Sequence, residues 1–477
     1  MLLFIFILIL LVGIILIRNT TVSIQKVHFI AIGGSAMHNL ALALHHKGFN
    51  VSGSDDELFE PSKTRLEKAG ILPASLGWFP EKISSDVNAI ILGMHARADN
   101  PELLKAQELG LKIYSYPEYI YQQSIDKQRV VIAGSHGKTT ITSIILHVLK
   151  YHKRNFDYMV GALIDGFDTM VKLTEDAPII ILEGDEYLSS PLDKTPKFLH
   201  YHHHIALISG IAWDHINVYP TFDEYVRQFE ALAEATPKGG MLIYSENDDF
   251  AAYICKKERD DVHSIDYDAH KNDIIDGITY LITDFGKIPL LIFGKHNMRN
   301  IAGAKTICNK IGVTDDMFYQ AIRSFKGAAN RLEVLNKNYS TVVFKDFAHA
   351  PSKVKATTNA VKKQYERKDL VAVLELHTFS SLNKDFLSQY KDTFKAADVP
   401  VVFYNPETLK HKNLVDISEK DIIDSFNCKE IKLFTDSKKL NDYLTGLDWN
   451  NKNLLLMSSG NFGGLDIKKL AKEIVED

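Results

Sequence analysis

The sequence predicts an α/β protein of three domains in series. Apolar strand-like runs end in glycine or acidic turns, helical patterns follow those turns, and 477 residues at 45% hydrophobic composition can bury several cores. A formal charge of −5, with Lys and Arg scattered along the chain, offers no basic field to nucleic acid. Cys255, Cys308 and Cys428 lie far apart without zinc or redox spacing, which suits buried thiols in a reducing compartment. No repeat and no low-complexity tract interrupts the chain, and no protein partner is indicated.

Residues 2–17 are apolar apart from Gly13, and Arg18 and Lys26 follow them. The expectation is a membrane anchor within residues 1–20 that leaves the catalytic body in the cytoplasm, with a start-site artefact as the alternative. The first domain, 21–126, opens with a strand at 27–32 and the turn Gly33-Gly34-Ser35-Ala36-Met37, which heads a helix at 38–47. A strand at 50–54 ends at Asp55, about twenty residues after the glycines, as in a dinucleotide fold. Ala31 and Ala36 stand where the strict fingerprint has glycine, so the turn fits a nucleotide diphosphate of any kind. Strands at 89–93 and 112–115 complete this block.

The second domain, 127–326, carries the strongest signal. Gly134-Ser135-His136-Gly137-Lys138-Thr139-Thr140 follows an apolar run at 129–132 and opens a helical pattern at 141–150. That order puts backbone N–H groups and a Lys around a polyphosphate and frees a Thr hydroxyl for Mg²⁺, so the chain is expected to use ATP. A strand at 178–182 ends in Glu183, where a hard carboxylate suits Mg²⁺, whereas Asp185 and Glu186 read equally well as ligands or as surface acids. A strand at 205–208 leads to Asp214-His215. The histidines at 200 and 202–204 lack ligand spacing and mark a loop or strand entry. After a strand at 289–293, Asn297 and Asn300 share one helical face, able to meet a base or phosphate, with helix capping by Asn297 as the other use. The third domain, 327–477, alternates again: a strand at 340–344 reaching Asp346, a helix at 351–365, strands at 370–374 and 401–404, and a strand at 454–457 entering the glycine loop 458–464.

Taken in order, the glycine turn before Met37, Asp55, the loop at 134–140, Glu183, Asp214-His215, the Gly-x-His-Asn-x-x-Asn run, Arg331 and Asp346 resemble the Mur ligases, ATP-dependent amide-bond-forming enzymes of peptidoglycan metabolism. The resemblance implies a UDP-sugar domain, a central ATPase domain and a C-terminal domain that brings the amine. It implies UDP-N-acetylmuramate at Gly33, Gly34, Ser35, Ala36, Met37 and Asp55. ATP would lie at Gly134, Ser135, His136, Gly137, Lys138, Thr139 and Thr140, with Lys138 on the β- and γ-phosphates, Asn297 and Asn300 toward adenine, Arg331 on the phosphates and Asp346 on the ribose. Thr139 and Glu183 would hold one Mg²⁺ and His215 a second, which makes Lys138, Glu183 and His215 the catalytic set. Several relatives carry a carbamylated lysine at the place that Glu230 holds here, a residue that would either replace the carbamate charge or have no such role.

Two branches of the family act on UDP-N-acetylmuramate, one adding L-alanine and the other a recycled peptide, L-alanyl-γ-D-glutamyl-meso-diaminopimelate. Residues 182–187, 197–201 and 457–464 look like the recycling branch, so the peptide is the expected amine, with alanine as the alternative. Ala350 replaces a second His of the family pattern, and the stretch 374–381 lacks an arginine expected in both branches. His377, Ser380 and Asn461 are candidate contacts for the peptide. A reading from another class is a nucleotide-binding sensor or scaffold without ligase activity. A nicotinamide oxidoreductase would leave the second phosphate loop unused.

Overall fold

The computed structural model of the chain describes residues 25–476 other than 95, 258, 276, 329, 330, 413 and 416. These form two bodies, 25–116 with 190–192 and 117–189 with 193–476. The apolar run at 2–17 lies outside the described residues, and no helix within them is long and apolar enough to cross a membrane.

The first body holds a parallel four-stranded sheet of β1 (Lys26–Ile30), β2 (Asn50–Ser54), β3 (Ala89–Leu92) and β4 (Ile113–Ser115), in the order β2-β1-β3-β4. Its strands are apolar because helices cover a parallel sheet on both faces. Beneath it, the His28 ring lies 2.9 Å from Ser52 Oγ and 3.1 Å from Glu102 Oε2, so the buried carboxylate is paired. Ala31, at the end of β1, takes φ 67°, the left-handed region that glycine prefers. An alanine therefore fills a place whose backbone is that of the fingerprint glycine.

The second body contains three sheets. The first has seven strands: β5 (Gln128–Ala133), β6 (Asp157–Met159), β7 (Val171–Lys172), β8 (Ile179–Glu183), β9 (Ile205–Ile208), β10 (Met241–Ser245) and β11 (His263–Tyr267), in the order β11-β10-β9-β5-β8-β6-β7. All pairs are parallel except β6 with β7. Helices Lys138–Tyr151, Lys295–Lys310 and Asp315–Ile322 pack Ile141, Ile144, Ile301, Ile307 and Phe318 into one core with Val130, Ile132, Ile181 and Leu207 of the sheet. β5 lies between β8 and β9, so the loop after it opens at the carboxyl edge where ligands collect in such sheets.

A small antiparallel sheet, β12 (Asn272–Ile275), β13 (Ile278–Thr283) and β14 (Gly286–Pro289), follows. Where a strand is expected at 289–293, the strand instead ends at Pro289; Leu290 N still donates to Thr279 O of β13 at 2.9 Å, and residues 291–293 lie outside any strand. Pro289 has no N–H to give a ladder, so it stands at the strand's end.

The last sheet comprises β15 (Glu333–Lys337), β16 (Val342–Asp346), β17 (Asp369–Glu375), β18 (Val399–Phe403), β19 (Lys432–Phe434) and β20 (Lys452–Met457), ordered β15-β16-β20-β17-β18-β19, with β15 alone antiparallel. Asp346 and Leu374 both register with Met457, which brings Asp346, Ser458 and Glu375 to one edge.

Candidate functional site

The loop after β5 is shaped by two glycines. Gly134 has φ 121°, and a Cβ there would meet the Ser209 backbone nitrogen at 2.8 Å; Gly137 has φ 82° and lies against the Asn300 amide. Only glycine lets this loop lie so close to its neighbours while turning into the helix. Ser135 N donates to Gly210 O at 2.9 Å, which ties the loop to the segment after β9. Helix Lys138–Tyr151 then starts without a side-chain cap, leaving N–H groups of its first turn for a ligand.

Lys138 Nζ donates to Gly134 O at 2.7 Å and to Glu186 Oε2 at 2.6 Å. Burial works to lower the Lys138 pKa, but Glu186, Asp185 and Glu183 together hold it above its usual value. Glu186 is thus a buried member of the site, which corrects the surface-acid alternative. Its second oxygen accepts from Tyr225 Oη at 2.9 Å, and Tyr225 Oη is 2.8 Å from Ser135 Oγ. Asp185 takes Lys197 at 2.6 Å; burial pushes its pKa up, but Lys197 and Lys138 outweigh that and bring it to about 2.

Thr139 Oγ1 donates to Glu183 Oε1 at 2.7 Å, and Glu183 Oε2 accepts from Gly161 N at 2.9 Å. These hard oxygens at the head of a phosphate loop are a donor set that fits Mg²⁺. His215 has φ 56°, lies edge-on to Tyr187 with centroids 5.2 Å apart, and places Nε2 3.6 Å from Glu186 Oε1. A non-glycine backbone in the left-handed region is a strain commonly held at functional sites.

The cavity over this loop runs from Ser135 to Thr140 and Glu183, past Asn297, Arg299 and Asn300, to Arg331, Asp346 and Lys353 of the C-terminal segment. Asn297 Nδ2 donates to Phe293 O at 2.8 Å, and its Oδ1 accepts from Asn300 Nδ2 at 3.3 Å. Gly294 holds the N-cap position with no side-chain cap, and Asn297 sits inside the first turn with its amide on a carbonyl, so it does not cap the helix. His136 Nδ1, His296 Nδ1 and Arg299 Nε are buried without a hydrogen-bond partner among the described residues. Orphaned polar atoms lining one cavity are what a polar ligand satisfies. Burial takes the His136 pKa down to about 3 and that of His296 to about 4.

On the C-terminal wall, Asp346 Oδ2 accepts from Leu332 N and Oδ1 from Ala348 N, both at 2.7 Å. Burial raises its pKa against the pull of Arg331, whose guanidinium stacks on Phe347 at 4.8 Å. Asp346 therefore also braces the loop that carries Arg331. Lys353 Nζ lies 3.7 Å from Asp214 Oδ2. Lys353, Tyr225 and Arg299 escaped the sequence reading. A Lys two residues after Pro351 at a helix start was the available signal for the first, and none marked the others.

Other expectations fall elsewhere. Glu230 pairs with Lys257 at 3.1 Å and does not line the cavity. The histidine run has unrelated partners: His203 with Thr236 at 2.8 Å, His204 Nδ1 with Arg129 N at 3.0 Å, and His200 with Asp193 at 2.8 Å. In the first body, Gly33 N donates to Asp55 Oδ2 at 2.6 Å, so the glycine turn of 33–37 and its acid do meet, the acid bracing the turn. Ser35, Ala36 and Met37 start helix Ser35–His46, while Gly34 precedes it as the N-cap position. Of the peptide candidates, His377 lies 3.8 Å from the buried Glu375, Ser380 is buried, and Asn461 Oδ1 accepts from Gly464 N at 3.2 Å. Glu375 Oε2 takes Ser458 Oγ and the Phe462 N–H, which shapes the glycine loop.

The profile described as "Mur ligase family, catalytic domain" matches residues 26–127, and "Mur ligase middle domain" matches 132–308. A UDP-N-acetylmuramate–L-alanine ligase of Carboxydothermus hydrogenoformans is 31% identical over 369 residues, 74% of this chain and 76% of the relative. Among solved structures, a UDP-N-acetylmuramate–alanine ligase of Thermotoga maritima superposes with TM-score 0.67 at 20% identity, over 95% of this chain and 98% of its own. A murein peptide ligase of Psychrobacter arcticus superposes with TM-score 0.63 at 20% identity, over 94% and 98%.

Proposed function

Because the chain belongs to the Mur ligase family, whose members form amide bonds at the expense of ATP with Mg²⁺, we propose that it activates the carboxylate of UDP-N-acetylmuramate and joins it to L-alanine. A carboxylate is a poor electrophile, so its oxygen first attacks the γ-phosphorus. ADP leaves with the electrons of the broken P–O bond, and the amine then displaces phosphate from the acyl phosphate. Positioning and charge neutralisation supply most of the rate in such transfers.

The observation that carries the reading is the cavity joining Lys138 and the loop of 134–140 to Arg331 and Asp346. Lys138 binds the β- and γ-phosphates, exchanging Glu186 for them. Thr139 and Glu183 would hold Mg²⁺, which would supply charge neutralisation at the phosphates, and His215 and Glu186 stand beside the reacting end. Asn297 and Asn300 face the base, and Asp346 holds the loop that presents Arg331. The UDP-sugar is assigned to the turn of 33–37 with Asp55. The proposed domain boundaries are 21–126, 127–326 and 327–477, supported by where the four-stranded sheet ends and the seven- and six-stranded sheets begin. This reading puts the catalysis in the cytoplasm, where ATP and UDP-sugars are available.

Alanine as amine rests on the named activity of the curated relative at 31% identity. A second reading, the recycled peptide, is favoured by residues 182–187, 197–201 and 457–464, while the arginine missing from 374–381, expected in both branches, favours neither amine. Purified protein given UDP-N-acetylmuramate, ATP and Mg²⁺ with either amine is followed by phosphate release and product mass. Turnover with alanine is expected; turnover with the peptide alone assigns the second reading, and none with either amine removes the ligase reading.

A further inference from the structure

We propose that Lys353 is a catalytic residue whose ammonium binds the γ-phosphoryl group of ATP and stays on it during transfer. Lys353 is the third residue of helix Pro351–Gln364, and its side chain is 26% exposed and lines the nucleotide cavity. Asp214 is its ion-pair partner among the described residues, at 3.7 Å, beyond hydrogen-bond reach. Lys138, by contrast, is held by two acceptors at 2.7 Å or less.

The carboxylates lining the cavity are already satisfied by uncharged donors: Glu183 by Gly161 N–H and the Thr139 hydroxyl, Asp248 by Ile211 and Ala251 N–H, and Asp346 by Leu332 and Ala348 N–H. An ammonium taken out of water without a close acceptor is costly, and a phosphate oxygen supplies that acceptor. The charged groups that bear most on Lys353 are Asp214, Lys138, Glu186 and Arg331. Its partner Asp214 precedes His215, whose Nε2 lies 3.6 Å from Glu186, the carboxylate that holds Lys138, so Lys353 stands at the Lys138 end of the cavity, where the phosphates are assigned. As the carboxylate oxygen bonds to the γ-phosphorus, the bond to the bridging oxygen breaks and ADP departs with its electron pair. Lys353 keeps its proton throughout and neutralises the oxygens of the group in flight.

The γ-phosphoryl contact applies to any ATP chemistry here; only its part in acyl transfer rests on the ligase reading. The test titrates the full chain with Mg²⁺ and either ADP or the non-hydrolysed analogue AMP-PNP, comparing wild type with Lys353→Met and Lys353→Arg. Lys353→Met is expected to weaken AMP-PNP about tenfold or more, change ADP by less than about twofold, and lower kcat about a hundredfold, while Lys353→Arg keeps AMP-PNP binding within a few fold. Lys353→Gln gives the same readout if the Met variant does not fold. Equal weakening of both nucleotides, or unchanged AMP-PNP binding, overturns the proposal. Because this titration needs neither sugar nor amine, it fails separately from the ligase reading.

Discussion

Glu186 decides how the phosphate loop is arranged. Lys138 holds one of its oxygens and Tyr225 the other, so on the proposed reading nucleotide binding exchanges one anion on Lys138 for another. Glu186→Gln keeps the shape and removes the charge. It is expected to lower kcat about tenfold or more, since Lys138 loses the group that aims it, and the check is single-turnover phosphate release at saturating ATP. Unchanged turnover would mean that Glu186 only fills space. This residue was not legible in the sequence. Glu183 announces itself at a strand end, but Glu186 acquires its burial from Tyr225, 39 positions downstream, and nothing local separates it from a solvated acid.

At the scale of elements, apolar runs were good guides wherever a strand is buried on both faces. β5, β8, β9, β17 and β20 are such strands, and each falls within a residue or two of its expected place. β12 to β14 are half-exposed and of mixed polarity, and they give no comparable run. β1 turns into its glycine loop through Ala31 at positive φ, which a β-branched side chain tolerates poorly. Ala31→Val should therefore destabilise the chain by about 1–3 kcal/mol, whereas Ala31→Gly should not destabilise it by more than about 1 kcal/mol. Equilibrium denaturation of both variants measures this, and equal stabilities would show that the turn bears no such strain.

For the molecule as a whole, the four most strongly shifted histidines contribute to the response to acid. Burial first, with nearby cations adding to it, takes the pKa of His136 and His203 to about 3 and that of His296 and His349 to about 4. Each is neutral in the folded chain and gains a proton near pH 6.5 when unfolded. Their stabilisation is thus complete above pH 6.5 and is lost progressively as the pH falls from there toward 4, at up to about 1.4 kcal/mol per pH unit for each. Calorimetry of the nucleotide-free protein should show Tm falling between pH 7.5 and 5.5; a flat Tm would mean that these rings accept protons inside the fold. The arrangement of the six-stranded sheet has a consequence for descent with modification. β16 and the helix after it place Asp346 and Lys353 on the wall of the ATP-site cavity and are tied to that use, while the turns after β17 and β20 lie on the same edge with Glu375 and Ser458 as their own anchors. Those turns are free to drift toward a new amine without disturbing ATP use, so a lineage can change what it attaches while inheriting unaltered the means of attaching it.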